Sequence, residues 1–146
     1  HANQDIKEGN FVDTKGNILG RHKGIVFYTI GQRKGLGIAF GKPMFVLDIN
    51  PETNEVILGS NDDLFSNELI AKDVNLITVD EITEPIRVEA KIRYSARPAA
   101  ATVYNNGKDS IRIVFDEPQR AITKGQSVVM YQGDKVVGGG IIDKSL

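Results

Sequence analysis

Three stretches of this sequence gather residue types that bind anions. The first is Thr29-Ile30-Gly31-Gln32-Arg33-Lys34-Gly35-Leu36-Gly37-Ile38, where one carboxamide and two cations stand between three glycines. Glycine accepts positive φ and leaves the backbone uncovered. The spacing therefore predicts a tight, exposed turn that suits a polyanion, and equally a solvated basic turn on a β domain. The second is Arg87-Val88-Glu89-Ala90-Lys91-Ile92-Arg93-Tyr94, followed by Arg97 and Pro98. It alternates strictly, so Val88, Ala90, Ile92 and Tyr94 face one way and Arg87, Glu89, Lys91 and Arg93 the other. Cations beside an aromatic at a strand end fit phosphate contact plus stacking on an unpaired base. They also fit a Tyr94 in the core with solvated cations. The third is Gly125-Gln126-Ser127, a turn whose amide suits a phosphate, a ribose, a base edge or water.

Groups that move protons are sparse. His1 is terminal, and His22, between Arg21 and Lys23, reads as a lone exposed histidine whose neighbours disfavour its charged form. A hydrolase working through His22 is the one catalytic reading left. Asp62-Asp63 and Asp116-Glu117 are adjacent pairs, and adjacent strand residues point to opposite faces, so neither forms an acid/base dyad. The chain has no cysteine, which excludes disulfides, thiolate metal sites and cysteine nucleophiles within it. Two nucleotide motifs fail on single residues. Gly41-Lys42 is followed by Pro43, where a P-loop needs a hydroxyl. Gly35-Leu36-Gly37 meets Phe40 where a dinucleotide fingerprint needs its third glycine.

The elements that must carry these residues are strands. Asn10–Asp13 and Asn17–Gly20 flank Thr14-Lys15-Gly16 as a hairpin. Ile25–Ile30 is β-branched and aromatic and reads as a strand leading into the glycine loop. Met44–Ile49 and Glu55–Leu58 flank a turn at Asn50–Asn54. Gly59–Asn67 is polar and turn-rich, a candidate boundary. A strand is expected within Glu68–Val79. Ala99–Tyr104 and Ile111–Phe115 flank Asn106-Gly107, a strong hairpin cue. Ser127–Tyr131 and Lys135–Val137 flank Gln132–Asp134. Gly138-Gly139-Gly140 predicts a bulge or close backbone approach at a barrel seam. At least seven strand signals and no sustained helical period argue an all-β sandwich or barrel. With 146 residues and a net charge of −1, the chain makes one domain or two very small ones and has no global field for nucleic acid. A polyanion site must be local, and Lys15, Arg21, Lys23, Arg33, Lys34 and Lys42 fall in a window without acidic residues. No run is apolar and long enough to span a membrane, and no signal peptide is visible. Beginning on His, the chain reads as part of a longer protein.

Several of these motifs carry a resemblance. Gly20–Gly24 followed by Tyr28–Ile38 resembles the central domain of the bacterial tRNA-specific 2-thiouridylase (MnmA) family. So do Arg93-Tyr94, Phe115-Asp116-Glu117-Pro118 with Thr123–Ser127, and Tyr131 with Gly138–Asp143, in the family's order across nearly the whole chain. The resemblance implies a small central β domain over 1–66 and, over 67–146, a C-terminal β-barrel resembling domain 2 of translation elongation factors. It implies an enzyme in which ATP, with Mg, adenylates the wobble uridine at tRNA position 34 and a cysteine persulfide delivers sulfur to C2. Those steps belong to an N-terminal PP-loop domain absent from this chain, so the chain alone is expected to be inactive, with no cofactor of its own. The implied tRNA-contacting residues are Arg93, Tyr94 and Gln126, with Arg93 on phosphate. Gln32, Arg33 and Lys34 would face either tRNA or the missing catalytic domain. Implied partners are tRNA at its anticodon region, that catalytic domain and a sulfur-donor protein, in the cytoplasm and without a membrane. One departure is visible: the family has Pro-Gly-Gln where this chain has Lys124-Gly125-Gln126. The alternative is a structural β module that packs on the catalytic domain without binding RNA by itself.

Overall fold

The computed structural model describes residues 7–37 and 41–146. Ile38, which ends the glycine loop, and Phe40 lie outside the described residues. The chain divides into two compact units, His1–Leu64 and Phe65–Leu146. Both are β structures, and the only helical segments among the described residues are two short 3-10 turns.

The first unit holds four strands, β1 (Gly9–Val12), β2 (Ile18–His22), β3 (Phe45–Asn50) and β4 (Glu55–Gly59), in the order β2-β1-β4-β3. The β1–β2 hairpin turns where expected: Gly16 adopts φ 88°, and one Asp13 carboxylate oxygen accepts the Lys15 and Asn17 N–H groups at 2.9 Å. The β3–β4 turn is drawn in by Asn50, whose side-chain oxygen accepts the Glu52 N–H at 3.0 Å. The two hairpins join through a parallel β1–β4 pairing, over a core of Phe11, Val46, Val56 and Leu58.

The expected strand over Ile25–Ile30 is not formed. Ile25–Phe27 is a 3-10 turn between Gly24 at φ 137° and Gly31 at φ 92°. Local bonds from Phe27 N–H to Gly24 O and from Tyr28 N–H to Ile25 O replace a ladder. Tyr28 is buried and its hydroxyl accepts the Lys23 N–H at 3.1 Å, while Val26 and Phe27 are exposed.

The second unit is a closed six-stranded barrel. Its strands β5 (Phe65–Leu76), β6 (Ile86–Lys91), β7 (Ala99–Asn105), β8 (Ser110–Arg120), β9 (Ser127–Gln132) and β10 (Lys135–Ser145) run in the order β10-β5-β8-β7-β6-β9. Inward residues such as Leu69, Val103, Ile113, Phe115, Val128 and Met130 are almost wholly shielded from solvent. The glycine run does what its position suggested. β10 pairs with both β5 and β9, and its register shifts around Gly138–Ile141. A Cβ on Gly139 would sit 2.5 Å from the Val128 carbonyl oxygen, and one on Gly140 would sit 2.8 Å from that of Lys72. Only hydrogen fits where the seam closes this tightly.

Candidate nucleic-acid interface

β6 ends at Lys91, so the alternation stops before Tyr94. The chain then turns, with the Ala96 N–H on Arg93 O at 3.1 Å. Val88, Ala90 and Ile92 are buried as expected, but Tyr94 is 96% exposed. That corrects the inward placement of Tyr94: the turn breaks the two-residue phase and throws the ring outward. The Lys91 Nζ lies 5.3 Å from the ring centroid, within cation–π range.

Gln126 stands beside this turn. β6 pairs antiparallel with β9, Lys91 opposite Val129. The chain running on from Lys91 to Arg93 and the chain running back from Val129 to Gln126 therefore leave the barrel at the same end. The Gln126 turn is built on Gly125 at φ 89°. It is tied to β10 by Gly125 N–H to Ile142 O and Ile142 N–H to Gln126 O, both 2.8 Å. The Gln126 side chain is exposed and makes no hydrogen bond among the described residues. Arg97 and Lys124 are exposed on the same two turns.

Arg93 is differently placed. Half-buried, it donates from Nη2 to Arg120 O at 2.7 Å and to Ala121 O at 2.8 Å. No carboxylate pairs with it among the described residues. Sequence reasoning did not find this brace, because nothing in the residue types marks the Arg120 and Ala121 carbonyls as acceptors. Arg87, grouped above with the outward cations, is committed elsewhere. Its guanidinium donates to both Asp116 carboxylate oxygens at 2.7 Å and to Thr102 Oγ1 at 3.0 Å. Those bonds hold the Asp116 carboxyl below, and the Arg87 guanidinium above, its ordinary pKa. Hydrogen bonds from Arg112 likewise lower Glu68. Each carboxylate is thus the anionic partner of an arginine.

The glycine loop belongs to the first unit. Arg33 and Lys34 are exposed, whereas Gln32 folds onto its own loop. Its Oε1 accepts the Thr29 N–H at 3.0 Å and its Nε2 donates to Lys34 O at 2.8 Å. The carboxamide shapes the turn that presents the two cations.

His22 is not exposed; it is 1% accessible. Nε2 donates to Asn54 O at 2.7 Å and Nδ1 accepts the Gly24 N–H at 2.9 Å, which fixes the Nε2–H tautomer. The ring packs edge-on against Phe11 and Tyr28. The sequence reading failed because His22 ends β2 facing inward, while Arg21 before it points to the other face and Lys23, beyond the strand, is exposed. Buried and with both nitrogens engaged, His22 has no route to a substrate. No group of three or more His, Cys, Asp or Glu residues could hold a metal ion among the described residues.

Fold and site together define a class: a pair of small β units whose barrel presents an aromatic, an amide and cations at one end, with no acid–base constellation beside them among the described residues. Residues 66–142 match the family described as aminomethyltransferase beta-barrel domain, and residues 2–60 the one described as tRNA methyl transferase PRC-barrel domain. The chain is 71% identical over 146 residues to the tRNA-specific 2-thiouridylase MnmA of Clostridioides difficile (strain 630), covering 100% of this chain and 40% of that protein. It is 62% identical over 138 residues to MnmA of Clostridium botulinum (strain Alaska E43 / Type E3), covering 94% and 38%. It is 58% identical over 138 residues to MnmA of Clostridium kluyveri, covering 94% and 39%. The chain belongs to the tRNA-specific 2-thiouridylase MnmA family and corresponds to its C-terminal part. It spans about two-fifths of the length of these relatives.

Proposed function

We propose that this chain is the tRNA-docking part of a tRNA-uridine 2-sulfurtransferase. The rest of the protein would use ATP, with Mg, to adenylate the C2 carbonyl oxygen of the wobble uridine, and sulfur from a donor protein would replace that oxygen at C2 as AMP leaves. Pro43 follows Gly41-Lys42 where a P-loop needs a hydroxyl, and the chain has no cysteine to carry sulfur; no chemical step is assigned to it. Its own task is to hold the anticodon region of the tRNA so that the wobble base reaches the catalytic portion. The observation that carries this reading is the ring of Tyr94, 96% exposed at a barrel end beneath the Lys91 ammonium. An aromatic face left in water costs hydrophobic burial, and a base stacked on it recovers that burial with no need for sequence readout. Gln126, with its amide unengaged, supplies a polar contact, and Arg97 and Lys124 supply charge for the backbone.

A second reading is a module that supports the catalytic portion without gripping RNA. It draws on Gln32 and Arg93, two of the expected contacts, which spend hydrogen bonds on the protein itself. A fluorescence-anisotropy titration separates the two. The probe is a labelled anticodon stem-loop at low and moderate salt. Docking predicts weak, salt-sensitive binding, with a log–log slope of about −0.7 to −0.9 per phosphate neutralised, and loss of affinity in Gln126→Ala. No binding at high micromolar protein would favour the supporting role.

A further inference from the structure

We infer that Val26 and Phe27 form a seat for the portion of this protein that precedes the chain, taken up by an apolar hollow on that portion. The inference rests on family membership and holds under either reading of RNA binding.

Among the described residues, Val26 and Phe27 are the one pair of exposed large hydrophobics adjacent in sequence, at 58% and 57% exposure. A strand would turn one of two neighbours inward. The 3-10 turn over Ile25–Phe27 does not, and Ile25 and Tyr28 on either side of the pair pack on the core of the first unit. The pair is therefore a fixed knob. It is held by Phe27 N–H on Gly24 O at 3.1 Å, by Tyr28 N–H on Ile25 O at 3.2 Å, and by the Lys23 N–H on the Tyr28 hydroxyl. An apolar surface already held in shape loses little freedom when it is covered.

The place of the knob names its occupant. The chain corresponds to the C-terminal part of its relatives and covers 40% of the Clostridioides difficile protein, so well over half of that protein lies ahead of the match. The polypeptide arrives in β1 through Lys7 and Glu8. Asn54 Nδ2 donates to their carbonyl oxygens at 3.2 and 3.1 Å, and the Asn54 carbonyl accepts from His22 Nε2 at 2.7 Å. Gly9 lies opposite His22, and the N–H of Gly24, which opens the turn, donates to His22 Nδ1 at 2.9 Å. The knob thus stands beside the point where the preceding portion is tethered, and a tethered surface meets it at high effective concentration. RNA is the poorer occupant. Bases stack where cations hold the backbone alongside, and Gly24 to Gly31 carries no charged residue.

The test compares the 146-residue chain with the full-length protein that contains it, by hydroxyl-radical footprinting read by mass spectrometry. Phe27 should be oxidised several-fold more slowly in the full-length protein, and equal rates would overturn the inference. Coverage that appears only as protein concentration rises would mark a second copy of the chain. Coverage that appears only with an added tRNA transcript would mark RNA, and either result overturns the seat. Within the full-length protein, Val26→Asp should speed Phe27 oxidation several-fold. Ile18→Asp, at an apolar residue 68% exposed on β2, should leave it slow. Release by both substitutions, or by neither, would refute the seat. Slow oxidation of the buried Tyr28 reports in every sample that the first unit is folded. If Val26→Asp or the short chain fails that check, the other comparison decides. Sulfur transfer is not read, so a failure of the proposed function leaves the result standing.

Discussion

Replacing His22 with phenylalanine tests the interior of the first unit. The substitution keeps an aromatic ring against Phe11 and Tyr28, which contact the imidazole at centroid distances of 5.7 Å. It removes the donor to Asn54 O and the acceptor for the Gly24 N–H. Gly24 is buried, and a buried donor left without a partner costs about 1–3 kcal/mol. The Asn54 carbonyl, half-buried, adds about 1 kcal/mol. The expected loss is therefore about 2–4 kcal/mol. A unit of this size has total stability of roughly 3–10 kcal/mol, so the variant would stand near its folding limit. The assay is native-state amide exchange, read at Phe11 and Val56 in the first unit and at Val103 and Ile113 in the barrel. Since 1.4 kcal/mol is tenfold, exchange in the first unit should quicken by roughly 30- to 1,000-fold while the barrel keeps its rates. Less than about tenfold acceleration would refute the two-bond account of His22.

Three further outcomes are expected. Gly139→Ala places a methyl 2.5 Å from the Val128 carbonyl oxygen, where backbone cannot yield cheaply; overpacking of about 1–3 kcal/mol should lower the barrel's Tm by roughly 4–24 °C, and an unchanged melt by circular dichroism would show that the seam is loose. Tyr94→Ala should weaken stem-loop binding roughly 5- to 150-fold, the worth of one stacked base, without moving the Tm, because the ring is exposed; undiminished affinity in the anisotropy titration would remove Tyr94 from the interface. The carboxyls of Asp116 and Glu68 have folded pKa values below their ordinary ones, so their contribution to stability is present above the ordinary carboxylate range and is lost as pH falls through the lowered values. The Asp116→Asn, Glu68→Gln double variant should then show a flatter acid limb in urea unfolding, and a parent-like limb would count against both ion pairs.

The turns were the most legible part of the sequence. Gly16, Asn50 and Asn106-Gly107 carry their conformational preference in their own chemistry, and hairpins stand at each of them. Burial within β6 was legible because period-two alternation holds as long as the strand does, and it carries one residue past the strand's end, to Ile92. It misled at Tyr94, where the strand had already ended, and the misplaced ring is the one the site depends on. Ile25–Ile30 misled for a related reason. β propensity describes side chains that fit a pleated, half-buried surface, and here the flanking glycines turn the chain before it finds a partner strand. His22 was judged by its charged sequence neighbours, although a strand separates neighbours onto opposite faces. The brace from Arg93 and the parallel union of β1 with β4 join residues far apart in sequence, and no local pattern announces them.

The pairing of β10 with β5 has a consequence for how the molecule is made. The first strand of the barrel waits for the last: Leu69 lies opposite Ser145, and the Leu146 N–H donates to Glu68 O at 2.8 Å. Closure of a loop spanning nearly the whole unit must precede the contacts that reward it, which slows folding. During synthesis β5 and β8 can pair early, but two sheet edges stay open until β10 leaves the ribosome. In that interval the open edges present unpaired backbone groups of the kind that pair with other chains. A ribosome that pauses before Lys135 would leave the turn that carries Gln126 unfastened, since its two backbone bonds are to Ile142.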